Sequence, residues 1–284
     1  MERGRKNQKR EIKNTRLPFD LISVIFYQEC SFATSIGAAI PVNIDLKKQS
    51  FTDILLFEND DFFLINKPPH TATLDERHND RGDSMLRIAK EYWPDAQVGH
   101  RLDKETSGVL IFAKHPAAYR HISMQFEHRQ VTKIYHAVSS GIHDLQGVLV
   151  NLPILPLKTG VVRIDKNEGK HAETVFNTLD VYKSHTLIEC MPFTGRMHQI
   201  RIHLQCIKAP IVMDELYGGE KIFLSDFKRK FKLAKETEEL PLISRVALHA
   251  KALNFELMNG ERQQVEAPYP KDMAALIYQL DKNR

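Results

Sequence analysis

The spacing of apolar residues changes several times along the chain, and each change marks an element. In "DILLFENDDFFLINKPP" (53–69) two short apolar runs, Ile54–Phe57 and Phe62–Asn66, flank the turn-forming Glu58-Asn59-Asp60-Asp61, so a pair of strands is predicted. Pro68-Pro69 ends the second run. A polar loop fills 70–83, and Ser84–Tyr92 predicts a short helix stopped by Pro94. Gly108–Ala113 is an apolar strand that follows directly on a polar turn. Over Pro116–Arg129 the period becomes helical: Pro116 suits a first turn, and Ala118, Ile122 and Phe126 share one face. In "VTKIYHAVSSG" alternation returns, with Ile134, His136 and Val138 on one side and Lys133, Tyr135 and Ala137 on the other. "GVVRI", "ETVFNTLDVY" and "HTLIECMPF" continue the strand pattern.

The period returns to 3.6 in "TGRMHQIRIHLQCIKAP" (194–210). Met197, Ile200, Leu204 and Ile207 form an apolar stripe, and His198, Arg201, Gln205 and Lys208 a polar one. Thr194 is placed to cap the start, and Pro210 lies past the end. "RVALHAKALNFEL" is a late strand, and 272–281 a closing helix. Strands outnumber helices without βαβ alternation, which predicts an α+β domain: a mainly antiparallel mixed sheet with flanking helices. Before residue 51 the pattern is unreadable, with 1–16 disordered in character and 17–50 irregular.

Composition and charge sharpen this reading. With 42% apolar and 27% charged residues, the 284-residue chain is ordinary for a soluble globular protein. No apolar run approaches the roughly 18 residues of a membrane span. Cys30, Cys190 and Cys206 are too few and scattered for a disulfide framework or a Cys-x-x-Cys zinc site, so a reduced cytoplasmic setting is expected. The net charge of +4 is uneven. Residues 1–16 carry seven Lys/Arg against two Glu, leaving the body close to neutral. Such an arm suits phosphates or is merely solvated. A second basic stretch, "EKIFLSDFKRKFKLAKE" (220–236), spaces Phe223, Phe227 and Phe231 by four. That predicts a docked helix presenting Lys228, Arg229, Lys230 and Lys232 to phosphate outside a cleft.

Several chemistries find no support. The chain has no Gly-x-x-x-x-Gly-Lys loop, no Gly-x-Gly-x-x-Gly after a strand and no His-Glu-x-x-His. His198 and His203 are five apart, which does not stack them on one helical face, so no metal site is expected. What stands out is Asp103 in "GHRLDKETSGVLIFAK": a lone carboxylate beside cations, leading into a strand. It reads either as a salt-bridged turn or as a carboxylate aimed into a cleft.

"HRLDKETSGVLIFAK" (100–114) resembles the catalytic motif of the RluA family of RNA pseudouridine synthases. "NKPP" (66–69), "KIYHAV" (133–138), "HAETVF" with "PFTGRMHQIRIHL" (171–204), "RVALHAKAL" (245–253) and "APYP" (267–270) are similar to further segments of that family, in the family's order. The resemblance implies the pseudouridine synthase fold over 51–284, with a basic helical insertion at about 220–240, preceded by a basic arm and extension over 1–50. It implies cleavage of the bond between uracil N1 and ribose, and rejoining through C5, in structured ribosomal or transfer RNA. Neither cofactor nor membrane is implied, and a monomer is expected. By the same match Asp103 is the essential carboxylate, with Arg201 its partner. Tyr135 stacks on the flipped uracil or moves a proton, and Leu248 closes the pocket. Arg101, Lys67, Arg196 and His198 are expected to contact substrate or shape the site.

Two positions depart from the family pattern. The family usually has Gly where this chain has His70 and Met213. The chain before residue 52 is also short for the S4 RNA-binding domain of many relatives. Two other readings stay open at this point: a catalytically idle RNA-binding protein of the same fold, and a carboxylate-dependent glycosidase or nucleosidase. The second lacks an evident second acid.

Overall fold

The computed structural model describes residues 50–75, 84–228, 231–233 and 237–284. The expected arm and extension, and Arg229 and Lys230, lie outside the described residues. In chain order the strands are β1 (Leu55–Glu58), β2 (Phe62–Lys67), β3 (Gln97–Val98), β4 (Ser107–Ala113), β5 (Thr132–Ser140), β6 (Val148–Asn151), β7 (Ile154–Pro156), β8 (Val162–Ile164), β9 (Glu173–Val181), β10 (His185–Pro192), β11 (Leu248–Glu256) and β12 (Arg262–Glu266). The helices are α1 (Met85–Tyr92), α2 (Pro116–Glu127), α3 (Gln199–Cys206) and α4 (Lys271–Lys282).

Ten described strands form one sheet in the order β1-β2-β4-β11-β5-β10-β9-β6, with β3 beside β4 and β12 beside β11; β7 and β8 pair separately. Among the described pairings β4 with β11 is parallel and the rest are antiparallel. This is the α+β mixed sheet expected from the sequence.

The continuous apolar runs of β2 and β4 follow from cover on both faces. On one side Phe63, Ile65, Leu110 and Phe112 pack with Met85 and Ala89 of α1. On the other, Phe62, Leu64, Val109 and Ile111 pack with Ala118 and Ile122 of α2. Ser84 caps α1 through a bond from Arg87 N, and Pro116 opens α2. The central parallel pair is tight. Gly108 sits opposite Ala250 at φ 116°, and a Cβ there would come within 2.1 Å of the Ala250 carbonyl oxygen. Only glycine lets β4 lie so close to β11.

Two expectations fail. The 220–236 segment is not a helix where it is described: it makes one 3-10 turn, Leu224–Asp226. The Asp226 carboxylate accepts the Phe223 N–H, which closes a tight turn instead of propagating a helix. Leu242 N–H bonds Ile222 O, and Ile222 and Phe227 pack into the large core cluster. α3 is also shorter than expected and is not half solvated, since Gln199 to Leu204 are all buried. Its N-cap is His198, at φ 52°, without a side-chain cap, while the expected cap Thr194 hydrogen-bonds the Gln199 side chain.

Candidate active site

The turn that carries Asp103 is fixed almost atom by atom. The Thr73 hydroxyl both accepts from Leu102 N (3.1 Å) and donates to Leu102 O (2.8 Å). Thr106 N–H closes the turn on Asp103 O at 3.0 Å. The Lys104 carbonyl accepts from Lys67 Nζ (3.1 Å), and the Glu105 carbonyl from Arg245 Nη1 (3.0 Å). Arg245 is itself buried. It donates to Asp272 in the first turn of α4 and to the Leu248 carbonyl, tying the turn to the start of β11. Segments far apart in sequence thus converge on five residues of backbone, the preorganisation that positional catalysis requires.

The Asp103 side chain, about one third exposed, faces a cavity of about 670 Å³ that is also lined by Tyr135, Leu248, His198, Arg201 and Arg101. That volume is in the range of small-molecule sites. The sheet order explains the grouping. β11 lies between β4 and β5, so Leu248 at its start, Tyr135 in β5 and the turn before β4 meet at one end of the parallel junction. Arg201 Nη1 stands 3.8 Å from Asp103 Oδ2, and His198 Nε2 stands 3.9 Å from the same oxygen. Tyr217 OH accepts from Val162 N and is hydrogen-bonded to His198 Nδ1 at 2.9 Å, which fixes the ring with Nε2 toward Asp103. Burial, with Arg201 beside it, holds His198 below its ordinary range, and the Asp103 charge opposes that shift. Burial pushes the Tyr135 phenol well up, and the Asp103 charge adds to the effect; Tyr135 therefore enters the cavity as a neutral phenol.

Residues 61–206 match the family model described as RNA pseudouridylate synthase. The chain is 34% identical to ribosomal large subunit pseudouridine synthase C of Escherichia coli (strain K12), over 84% of this chain and 73% of that protein. It is 32% identical to ribosomal large subunit pseudouridine synthase D of Haemophilus ducreyi, over 86% and 76% respectively. The chain belongs to the RNA pseudouridylate synthase family. Among solved structures, human RNA pseudouridylate synthase domain containing 4 superposes with a TM-score of 0.60 at 23% identity, covering 81% of this chain and 94% of that one, and shows the shared fold. Human RNA pseudouridylate synthase domain containing 1 gives 0.56 at 25% identity, covering 76% and 83%. The RluA-family resemblance, the fold and the class of enzyme, an isomerase forming pseudouridine in RNA, are thereby shown.

Within this pseudouridylate synthase, the residues expected from sequence fall into three groups. Asp103, Tyr135, Leu248, Arg101, His198, Arg201 and Arg196 all line the one cavity. Lys67 does not. It is fully buried, and its three N–H groups go to Pro68 O, Thr71 O and Lys104 O, so a phosphate contact is corrected to a backbone brace. Burial, with repulsion from Arg245, pushes its pKa down to about 7. Lys228 and Lys232 are exposed and stand outside the cavity lining.

Arg201 does face Asp103, but with one nitrogen only. Its two-bond fork grips Asp214, with Nε and Nη2 each at 2.7 Å, and only Nη1 is turned to Asp103. At 3.8 Å that contact is an ion pair, not a hydrogen bond. Sequence reasoning missed Asp214, which is 1% exposed and orients the arginine. Gln199 was missed too. Its amide donates to Glu173 O and Thr174 Oγ1, and its oxygen accepts from Thr194 Oγ1 and Arg196 N, so it pins the 194–196 loop to β9. Among the described residues no cluster of three or more His, Cys, Asp or Glu is arranged to hold a metal ion, and no described helix is long and apolar enough to cross a membrane.

Proposed function

We propose that this enzyme isomerises uridine in large-subunit ribosomal RNA, with Asp103 as its essential carboxylate. The substrate class is supported by the names of its relatives, which act on the large ribosomal subunit. The role of Asp103 is carried by one observation: its carboxylate projects from a turn whose backbone is held by Thr73, Lys67 and Arg245 into a cavity large enough for a nucleotide. The uridine leaves its stack to reach this point. Asp103 acts on the nucleotide, the ribose C1′–N1 bond breaks, the uracil turns, and C1′ rejoins at C5. The C5 proton departs and N1 gains one, so no electrons are exchanged with an outside partner and no cofactor is needed. Arg201 and His198 face one oxygen of Asp103 and keep its charge directed, while Tyr135 stacks on the uracil and donates from its phenol, and Leu248 closes the pocket. Arg101 and Arg196 at the rim, with Lys228 and Lys232 farther out, contact phosphates. The enzyme works as a cytoplasmic monomer.

The test is release of tritium from uracil C5 in an unmodified large-subunit ribosomal RNA transcript, beside a bulk transfer RNA control. The wild-type chain is expected to release tritium from the ribosomal transcript, and Asp103→Asn to release none while binding RNA within a few-fold of wild type. Substantial turnover by Asp103→Asn would remove Asp103 from the mechanism. Release from transfer RNA alone would move the substrate class. Binding without turnover in the wild-type chain would favour the idle RNA-binding alternative.

A further inference from the structure

Phe193 follows directly on β10 and is half exposed, yet it joins none of the apolar clusters among the described residues. A phenylalanine left this open gives up ~1 kcal/mol or more of available burial. Its mounting is rigid all the same. Its N–H donates to Glu173 O at 3.0 Å, and the next residue, Thr194, is tied to Gln199 and Glu173. Met197, 37% exposed, lies on the same cavity wall. The surrounding wall holds three cations against one exposed carboxylate, Glu127. Lys133 spends one N–H on Thr194 O, Arg196 spends Nε on His171 O, and Arg129 completes the group. Burial, with Arg129 nearby, brings Lys133 down to about 8, so it keeps most of its charge at neutral pH.

We infer that Phe193, backed by Met197, is a stacking platform for a base adjacent to the extruded uridine, with Arg129, Lys133 and Arg196 holding the intervening phosphate. This rests on the RNA-modifying function proposed above, whose site residues line the same cavity. Extruding one nucleotide deprives its neighbours of a stacking partner, and a half-exposed aromatic side chain lining the cavity replaces it. The cations favour RNA over an apolar protein segment as the occupant, because a peptide seeking this ring would have to be acidic. Stacking also tolerates any base, since every base has a π face, so the platform adds affinity without fixing sequence.

The experiment uses the full chain, with Phe193→Ala, Phe193→Leu and Phe193→Trp, and two readouts. The first is affinity for a short oligouridylate carrying one 5-iodouridine, with the photocrosslink mapped by mass spectrometry. The second is KM and kcat for tritium release from the ribosomal transcript. Alanine is expected to weaken oligouridylate binding and raise KM by about 5- to 150-fold, the range of one lost base stack. kcat should stay within about twofold, leucine should fail to rescue, tryptophan should restore, and the wild-type crosslink should fall on Phe193. Wild-type affinity and KM in both alanine and leucine variants would overturn the platform, as would a tryptophan variant as weak as alanine with folding intact by circular dichroism. Should the wild-type chain release no tritium, the proposed function falls, and the oligouridylate arm still decides the platform.

Discussion

At the scale of single residues, the two departures from the family pattern mark a backbone constraint. His70 and Met213 stand where the family usually has glycine, and both adopt left-handed backbone, at φ 63° and 67°. The sequence therefore announced two strained positions without naming the strain. At His70 the side chain is exposed, and its ion pair with Glu105 at 3.1 Å contributes little in water. Backbone conformation should dominate there: His70→Gly is expected to exceed His70→Ala in stability by ~1 kcal/mol in urea melts, and equal stabilities would contradict the left-handed assignment. Met213 packs against the large core cluster, so glycine there would trade strain for lost burial and no clear sign is expected. Asp103 and Tyr135 were legible because a short motif contains them. Asp214 was not, because its role is defined by Arg201, a partner on another element and buried beside it.

At the scale of elements, the strands were legible wherever burial is one-sided or complete, as in β2, β4 and β5. Short β6 and β7 and polar β12 were not, because they are defined by pairing to β9, β8 and β11 and not by their own composition. The polar stripe read for α3 holds, with Gln205 and Lys208 exposed and His198 and Arg201 on the cavity. Two polar residues outside it, Gln199 and His203, are buried and partnered; His203, for example, accepts from Thr174 Oγ1 and donates to Leu152 O. Sequence shows polarity but not whether a partner awaits it. The junction of α4 with the Asp103 turn depends on one such pair, Arg245 with Asp272, at 2.6 Å. Asp272 is half-buried and Arg245 keeps other acceptors, so Asp272→Ala should cost about 1–3 kcal/mol, the range for a buried charged donor that loses a partner. Because Arg245 also holds Glu105 O and Leu248 O, turnover should fall even at temperatures where the variant remains folded. Normal turnover in folded Asp272→Ala would show that the turn does not need this brace.

At the scale of the molecule, burial of neutral imidazoles ties stability to pH. Burial pushes His249 down to about 3 and His136 to about 4, whereas an unfolded histidine titrates near 6.5. Below pH 6.5 the unfolded chain takes up protons that the folded chain refuses, so stability falls as pH drops from 6.5 toward 4, by about 1.4 kcal/mol per unit for each ring. Urea midpoints measured from pH 7 to 5 should trace this loss, and His249→Gln should flatten it by the share of one proton; an unchanged slope would mean that His249 is not held neutral. The parallel seam between β4 and β11 has a different consequence, for synthesis. β11 threads between two strands that are made more than a hundred residues earlier. Until it leaves the ribosome, β4 and β5 each present an unpaired inner edge, the kind of surface that recruits other chains. A nascent chain that already contains Asp103, Tyr135 and Arg201 therefore has the polar groups proposed for the reaction, while Leu248 of the pocket is still to come. Its activity begins, and its liability to aggregate ends, with one late strand.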